Sequence, residues 1–340
     1  MKDFLLLSDS NVFIILYLYV FHIIYSEHYK NIKFINKSRF LYSMKRKIIE
    51  LGHDCMVLSL PRKWVLKNNL KKGDDLSVEL QDDGLFVSLS EKQKRLSEIT
   101  LDLEDVRETL TRTVLVNNYR IGYDRMIIRY TGKKQQLNDI VDKHLLGFEL
   151  FSKDKNTYII ESVSEPSYDQ FDNIIRKIFF IIKEIINTFD KEDISEQVIK
   201  VQKYDNFLKR CISKTVFDPR EKMFLWQFLS DMTHISREFL HLSIHLNKKS
   251  DDYEQGMIKR LYEMICAVEN AYTQKNIDLV KHLHKEDEKL LSERKAIFKR
   301  FKDPLKAYYY LHIARLIFLL NSPLIGIIST DSHNNAGIKA

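Results

Sequence analysis

Cysteine, proline and glycine are all sparse in this chain, at three, five and nine of 340 residues. Cys55, Cys211 and Cys266 stand far apart, are odd in number and form no CxxC pair. That argues against a disulfide framework and for a reducing compartment, the cytoplasm. The shortage of Gly and Pro beside abundant Ile, Lys, Asn, Phe and Tyr reads as an AT-rich coding bias and carries no function. Catalytic signatures are missing too: no HExxH, no glycine-rich phosphate loop, no GxSxG, and no histidine at a suggestive spacing from Cys211 or Cys266. Nothing marks an enzyme, and no cofactor is expected. Charge of one sign is also short, because a net +7 is mild for this length. It permits nucleic acid or an acidic surface as partner without requiring either.

The N-terminal apolar run is short for a membrane span. Val12 to Tyr25 is apolar except for His22, but its 14 residues fall below the roughly 20 a spanning helix needs. Extension back to Phe4 takes in Ser8, Asp9, Ser10 and Asn11. A basic start and a small-residue cleavage site, the marks of a signal peptide, are not convincing here. Lys30, Lys33, Lys37 and Arg39 follow the run, as they would behind a signal anchor. Three readings of 1–43 stay open: translated upstream sequence with Met44 as the true start, a membrane anchor, or an interfacial helix or disordered arm. Only the anchor makes a membrane a partner.

What is present begins at Arg46. Lys47 to Leu51 reads as a strand broken at Gly52, and Cys55 to Leu60 as a second one stopped by Pro61. A short basic helix over 62–68, a turn at Lys72-Gly73-Asp74 and a hairpin of 76–80 with 85–89 across Asp82-Asp83-Gly84 complete a β-β-α-β-β order. So small a unit buries little surface alone and calls for a partner subunit. From Lys45 to Lys72 there are eight Lys or Arg against Glu50 and Asp54, a footprint for phosphates. Arg46, Lys47, Arg62, Lys63 and Lys67 flank strand ends and the short helix, where side chains reach phosphate oxygens or groove edges, so these five are candidate DNA contacts. The alternative is a solvated basic face on a dimerisation module. Trp64 falls with Leu60 and Val65 on the apolar face, as a core or dimer-interface residue rather than a base-stacking one.

Residues 98–165 alternate strand and helix: strand 99–103, helix from Leu103 to about Asn118, strand 125–130, helix 136–145, and strands 148–151 and 157–163. From Tyr168 onward the chain is nearly all helix. Phe171, Ile174, Ile175, Ile178, Ile181, Ile182, Ile185 and Ile186 mark the first helix and Val198, Val201, Tyr204, Phe207, Leu208 and Ile212 the second. A third runs from Pro219 to Leu246, a fourth from Asp252 to Tyr272, a fifth from Ile277 to Phe301, and a sixth, apolar all round, from Pro304. Asp218-Pro219 and Asp303-Pro304 are paired helix-start signals that hint at a duplicated antiparallel bundle.

Over residues 45–89, the Arg46-Lys47-Ile48, Leu51-Gly52, Leu58-Ser59-Leu60-Pro61-Arg62-Lys63-Trp64 and Leu70-Lys71-Lys72-Gly73-Asp74 segments closely resemble the AbrB/MazE/SpoVT family of DNA-binding domains. The form with Trp is the variety found ahead of PhoU-like domains in archaea. Tyr119-Arg120-Ile121-Gly122-Tyr123-Asp124 and Leu146-Gly147-Phe148-Glu149 resemble the connector of such fusions, with Gly122 as a structural turn, and 168–325 resembles PhoU more weakly. The resemblance implies a multi-domain, mainly α chain: a hydrophobic extension at 1–43, a swapped-hairpin β domain at 44–90, a short α/β connecting region at 91–166, a PhoU-like antiparallel bundle at 167–328 and a disordered tail at 329–340. It implies a homodimeric regulator of phosphate uptake that binds double-stranded DNA, or else an adaptor docking on a phosphate transporter or signalling protein. It also implies a sixth DNA contact, His53 in the loop after Gly52.

PhoU-like proteins hold metals with carboxylates one helical turn apart. Here Asp205 remains, but four residues earlier stands Val201; Ser230 and His234, with Asp231 in an adjacent register, occupy the next position, and His312 and Arg315 the last. Only Glu192 and Glu196 keep the spacing, in a charged segment, so no metal is expected. The weak candidates left are Asp205, Asp231 and the stripe His234, His241, His245.

Overall fold

In a computed structural model, the structure describes residues 45–50, 56–81, 84–89, 96–215, 217–245 and 250–336. The apolar run Val12 to Tyr25 and the loop carrying His53 lie outside these. The chain divides into two compact units, Met1–Leu96 and Ser97–Ala340.

In the first unit, β1 (Ile48–Glu50) pairs antiparallel with β2 (Met56–Leu58), and β3 (Leu76–Gln81) pairs antiparallel with β4 (Gly84–Leu89). Between the two hairpins lies α1 (Arg62–Lys67), entered through Pro61, whose carbonyl accepts from the Trp64 and Val65 amides. The expected turn is there: Gly73 has φ +95°, a conformation suited to glycine, and the Asp74 carboxylate accepts from the Lys71 amide. Each sheet has only two strands, and no described side chain of this unit is buried. Ile48 and Met56 are about 70% exposed, at 70% and 69%. Isolated hairpins are marginal, and the described residues of this unit form no buried interior among themselves.

The second unit opens with a four-stranded sheet, order β5-β6-β8-β7, from β5 (Glu98–Asp102), β6 (Arg125–Arg129), β7 (Phe148–Ser152) and β8 (Thr157–Ser162). β5 and β6 run parallel and the other pairs antiparallel. Met126 and Ile128 point inward and their neighbours outward, the period-two pattern of a sheet with one covered face. The helix expected from Leu103 begins only at Glu108: α2 spans Glu108–Ile121. Leu103 instead extends the strand edge, its amide donating to the Arg129 carbonyl, and Asp105 turns the chain at φ +56°. α3 (Lys134–His144) follows.

Seven longer helices complete the unit: α4 (Phe171–Thr188), α5 (Ser195–Lys214), α6 (Pro219–His245), α7 (Asp252–Gln274), α8 (Val280–Arg300), α9 (Pro304–Leu319) and α10 (Asn321–Ala336). All eight apolar positions of the α4 stripe are buried, and on α5 Tyr204 alone is only half-buried. α4, α5 and α6 pack mutually, as do α7, α8 and α9, and α4–α7 and α6–α9 contacts join the trios. Asp218 accepts from the Arg220 amide and Asp303 from the Leu305 amide, so both Asp-Pro pairs cap helices. The α/β layer, expected as a connecting region, belongs to the same compact unit as the bundle.

Two expectations need correction at the C-terminal end. The sixth helix is split at Leu320, because Pro323 lacks the amide that would continue the ladder and suits only the first turn of a new helix. The tail expected to be disordered from 329 is helical to Ala336. Its polar composition suggested otherwise, but Leu324, Ile327, Ile328 and Thr330 are buried and anchor α10. Gly326 lies so close to the Phe224 ring that a Cβ would meet it at 2.5 Å. Among the described residues one stretch, Pro304–Thr330, is long and apolar enough to cross a membrane, and half of its most apolar window is buried within the protein.

Candidate nucleic-acid interface

The basic candidates of the first unit lie where the sequence expects them. Arg46 and Lys47 precede β1, and Arg62, Lys63 and Lys67 lie on α1; all five are exposed. None forms an ion pair with a described residue, and α1 has no acidic residue in its first turn. Trp64 and Val65 are half-buried and turn to the other side of the helix. His53, the sixth candidate, lies outside the described residues. Five exposed cations with no carboxylate partner among the described residues suit phosphate oxygens, because a neighbouring carboxylate would compete for each one.

A second site, in the helical unit, has no counterpart in the sequence reading. Arg210 of α5 is fully buried, and its guanidinium gathers both connector motifs. It donates to the Tyr119 carbonyl (3.1 Å), the Tyr123 carbonyl (2.8 Å), Asp124 (2.7 Å) and Glu165 (2.7–2.8 Å). It also lies over the Tyr119 and Phe148 rings, 5.1 and 4.8 Å from their centroids. Gly122, at φ +106°, ends α2 and swings Tyr123 and Asp124 into reach. The Tyr119 hydroxyl donates to the Leu146 carbonyl at 2.9 Å, tying the first motif to the second. Burial alone would raise the Asp124 carboxyl, but bonds from Lys214 and Ser97 outweigh it and hold it below the usual range. This junction explains why the α/β layer and the bundle form one unit.

The metal candidates are placed differently from a metal site. Asp205 is buried and already neutralised, 2.9 Å from Arg120 and 2.7 Å from Lys209. His234 is exposed, His241 lies 3.5 Å from Glu238, and His245 stacks on Tyr309 at 5.5 Å. Among the described residues no three His, Cys, Asp or Glu side chains come together.

Asp231 is half-buried with one oxygen lacking a hydrogen-bond partner, and burial pushes its carboxyl up to about 6 despite nearby Lys209 and Gln227. The unfolded value is near 3.8, so this group's contribution is most favourable below that pH and is lost as pH rises through 6. Asp231→Asn is therefore expected to stabilise the protein at pH 7.5 by on the order of 1 kcal/mol, discounted for half exposure. Thermal melts at pH 7.5 and pH 4 check this; the gain should vanish at the lower pH.

Compared with protein-family models, curated proteins and solved structures, the chain matches none of them.

Proposed function

We propose that this chain is a dimeric, cytoplasmic DNA-binding regulator and not an enzyme. Residues 44–90 act as an AbrB-type module that dimerises and grips double-stranded DNA. The helical unit acts as a PhoU-like sensory or relay part, by resemblance in phosphate homeostasis. One observation carries the reading: the first unit leaves Ile48, Ile49, Met56, Leu58, Val78 and Leu85 exposed, while Arg46, Lys47, Arg62, Lys63 and Lys67 pair with no carboxylate among the described residues. An unfinished apolar interior favours a second copy, and the free cations favour a polyanion.

The test is a gel shift of duplex DNA by the full chain. Retardation is expected at low salt, with release as salt rises from about 50 to 200 mM. Arg62→Ala/Lys63→Ala removes two cations from each chain of the dimer, so it should weaken binding across sequences and reduce the slope of log affinity against log salt by about 4. No shift at low salt would sink the reading and leave the adaptor, in which the module only dimerises. That second reading has its own support. A groove of about 290 Å³ between α8 and α9 exposes Leu291 and Phe298, an apolar surface suited to a protein partner.

A further inference from the structure

We propose that Arg112 and Arg120 of α2, Lys209 of α5 and Arg237 of α6 form a binding groove for a phosphate-type oxyanion. Its floor is fixed by direct contacts. Lys209, 3% exposed, meets Asp205 at 2.7 Å and donates to the Ser230 hydroxyl at 2.8 Å. Arg120 donates to Asp205 and to the Asn206 side-chain oxygen, both at 2.9 Å. Asn206 in turn donates to the His144 carbonyl at 2.9 Å, which brings the end of α3 to the same place.

Its rim follows from helix geometry. Arg112 precedes Arg120 by eight residues on α2, and Arg237 follows Ser230 by seven on α6, each about two turns along the same stripe. α2 and α6 both pack on α5, so the two stripes flank one helix. The field at His144 agrees with this convergence: burial first, then Arg112, Arg237, Lys143 and Arg120 hold its imidazole at about 4, hence neutral.

The charge balance is what calls for a ligand. Arg120 and Lys209 share the one carboxylate in direct contact, Asp205, and the half-buried Asp231 acts on Lys209 without touching it, while Glu108 lies one turn before Arg112. Elsewhere in this unit several half-buried cations meet carboxylates directly, as Lys183 does Glu269, Lys306 does Glu254, and Arg260 does Glu286 and Glu293. Arg112 and Arg237 have no hydrogen bond or ion pair to a described residue, and both are exposed. Lys209 and Arg120 each retain N–H donors beyond those in use. Several planar guanidinium forks with an ammonium suit a tetrahedral oxyanion better than a single carboxylate.

Isothermal titration calorimetry on the full chain, with inorganic phosphate, pyrophosphate and ATP as separate probes, tests this. Saturable binding of at least one probe is expected, with one site per chain. Arg112→Ala/Arg237→Ala removes two exposed side chains, leaves the floor intact and should weaken binding by about tenfold or more. Asp231→Asn should tighten it severalfold by removing a competing carboxylate. Binding of phosphate itself would identify the free ion as ligand, and binding of only the larger probes would identify a phosphate group carried on a nucleotide or pyrophosphate. No saturable heat with any probe, or unchanged affinity in the Arg112/Arg237 variant, overturns the proposal. Loss of binding in Arg62→Ala/Lys63→Ala instead also overturns it, by moving the site to the first unit. The inference stands apart from DNA binding, since the gel shift and the titration are read on different residues.

Discussion

Arg210→Met is expected to destabilise the helical unit by about 3–5 kcal/mol, the range for breaking a buried ion pair from one side. The side chain is fully buried, and its removal takes one donor from Glu165, which keeps the Tyr168 hydroxyl, one from the Tyr119 carbonyl, which keeps the Gly122 amide, and one from the Tyr123 carbonyl. Asp124 retains Lys214 and Ser97, which keeps the loss from being larger. For a unit of this size the melting temperature should fall by on the order of 10 °C, measured by calorimetry or circular dichroism. Arg210→Lys keeps the charge but not the planar fork that meets four acceptors, so it should recover only a minority of the loss. A neutralised surface pair supplies the scale. Lys281 and Asp278 are 74% and 73% exposed, and removing their 2.6 Å contact should leave the melt essentially unchanged. A melt unchanged in Arg210→Met would mean that the junction does not hold the two layers together.

Gly147→Ala is expected to cost about 2–4 kcal/mol through two mechanisms at one atom. Gly147 sits at φ +80°, where a Cβ is disfavoured, and that Cβ would lie 2.6 Å from the Glu165 Cα and 2.8 Å from its amide nitrogen. The obstacle is backbone, so no side-chain rotation relieves it. The segment is also fixed from the other side, because the Val163 and Ser164 amides both donate to the Gly147 carbonyl, at 2.8 and 3.0 Å. Any shift that admits the methyl displaces Glu165, which holds Arg210. The two substitutions should therefore be non-additive: the double variant should lose at least 1 kcal/mol less than the sum, about the coupling expected of residues sharing one network. Strict additivity would separate the turn from the ion cluster.

The strands and turns of this chain are legible in the sequence because their causes are local. The Asp82-Asp83-Gly84 signal, the alternation of Arg125 to Arg129 and the Asp-Pro helix starts each act within a few residues. The connector motifs are legible as residues and opaque as a device. Gly122 reads as a turn, but nothing near it points to Arg210, 86 residues beyond Asp124, as the partner. Asp205 presents the same difficulty. Read alone it is a surviving metal ligand, whereas its partner Arg120 lies 85 residues upstream on another helix. Pairings of that range are set by packing, which the linear pattern does not encode. Pro323 was a local sign of the split at Leu320, hidden by the uniform hydrophobicity around it. Burial of Ile327, Ile328 and Thr330 overrides the polar composition that made the last segment look like a tail.

No described side chain of the first unit is buried. In the dimer proposed above, that unit would draw its stability from association, and association follows mass action. Its folded fraction would then rise with chain concentration instead of being fixed by the sequence. The helical unit, with its own core, would have no such dependence. Under that proposal copy number becomes an input that one half of the molecule reads and the other ignores.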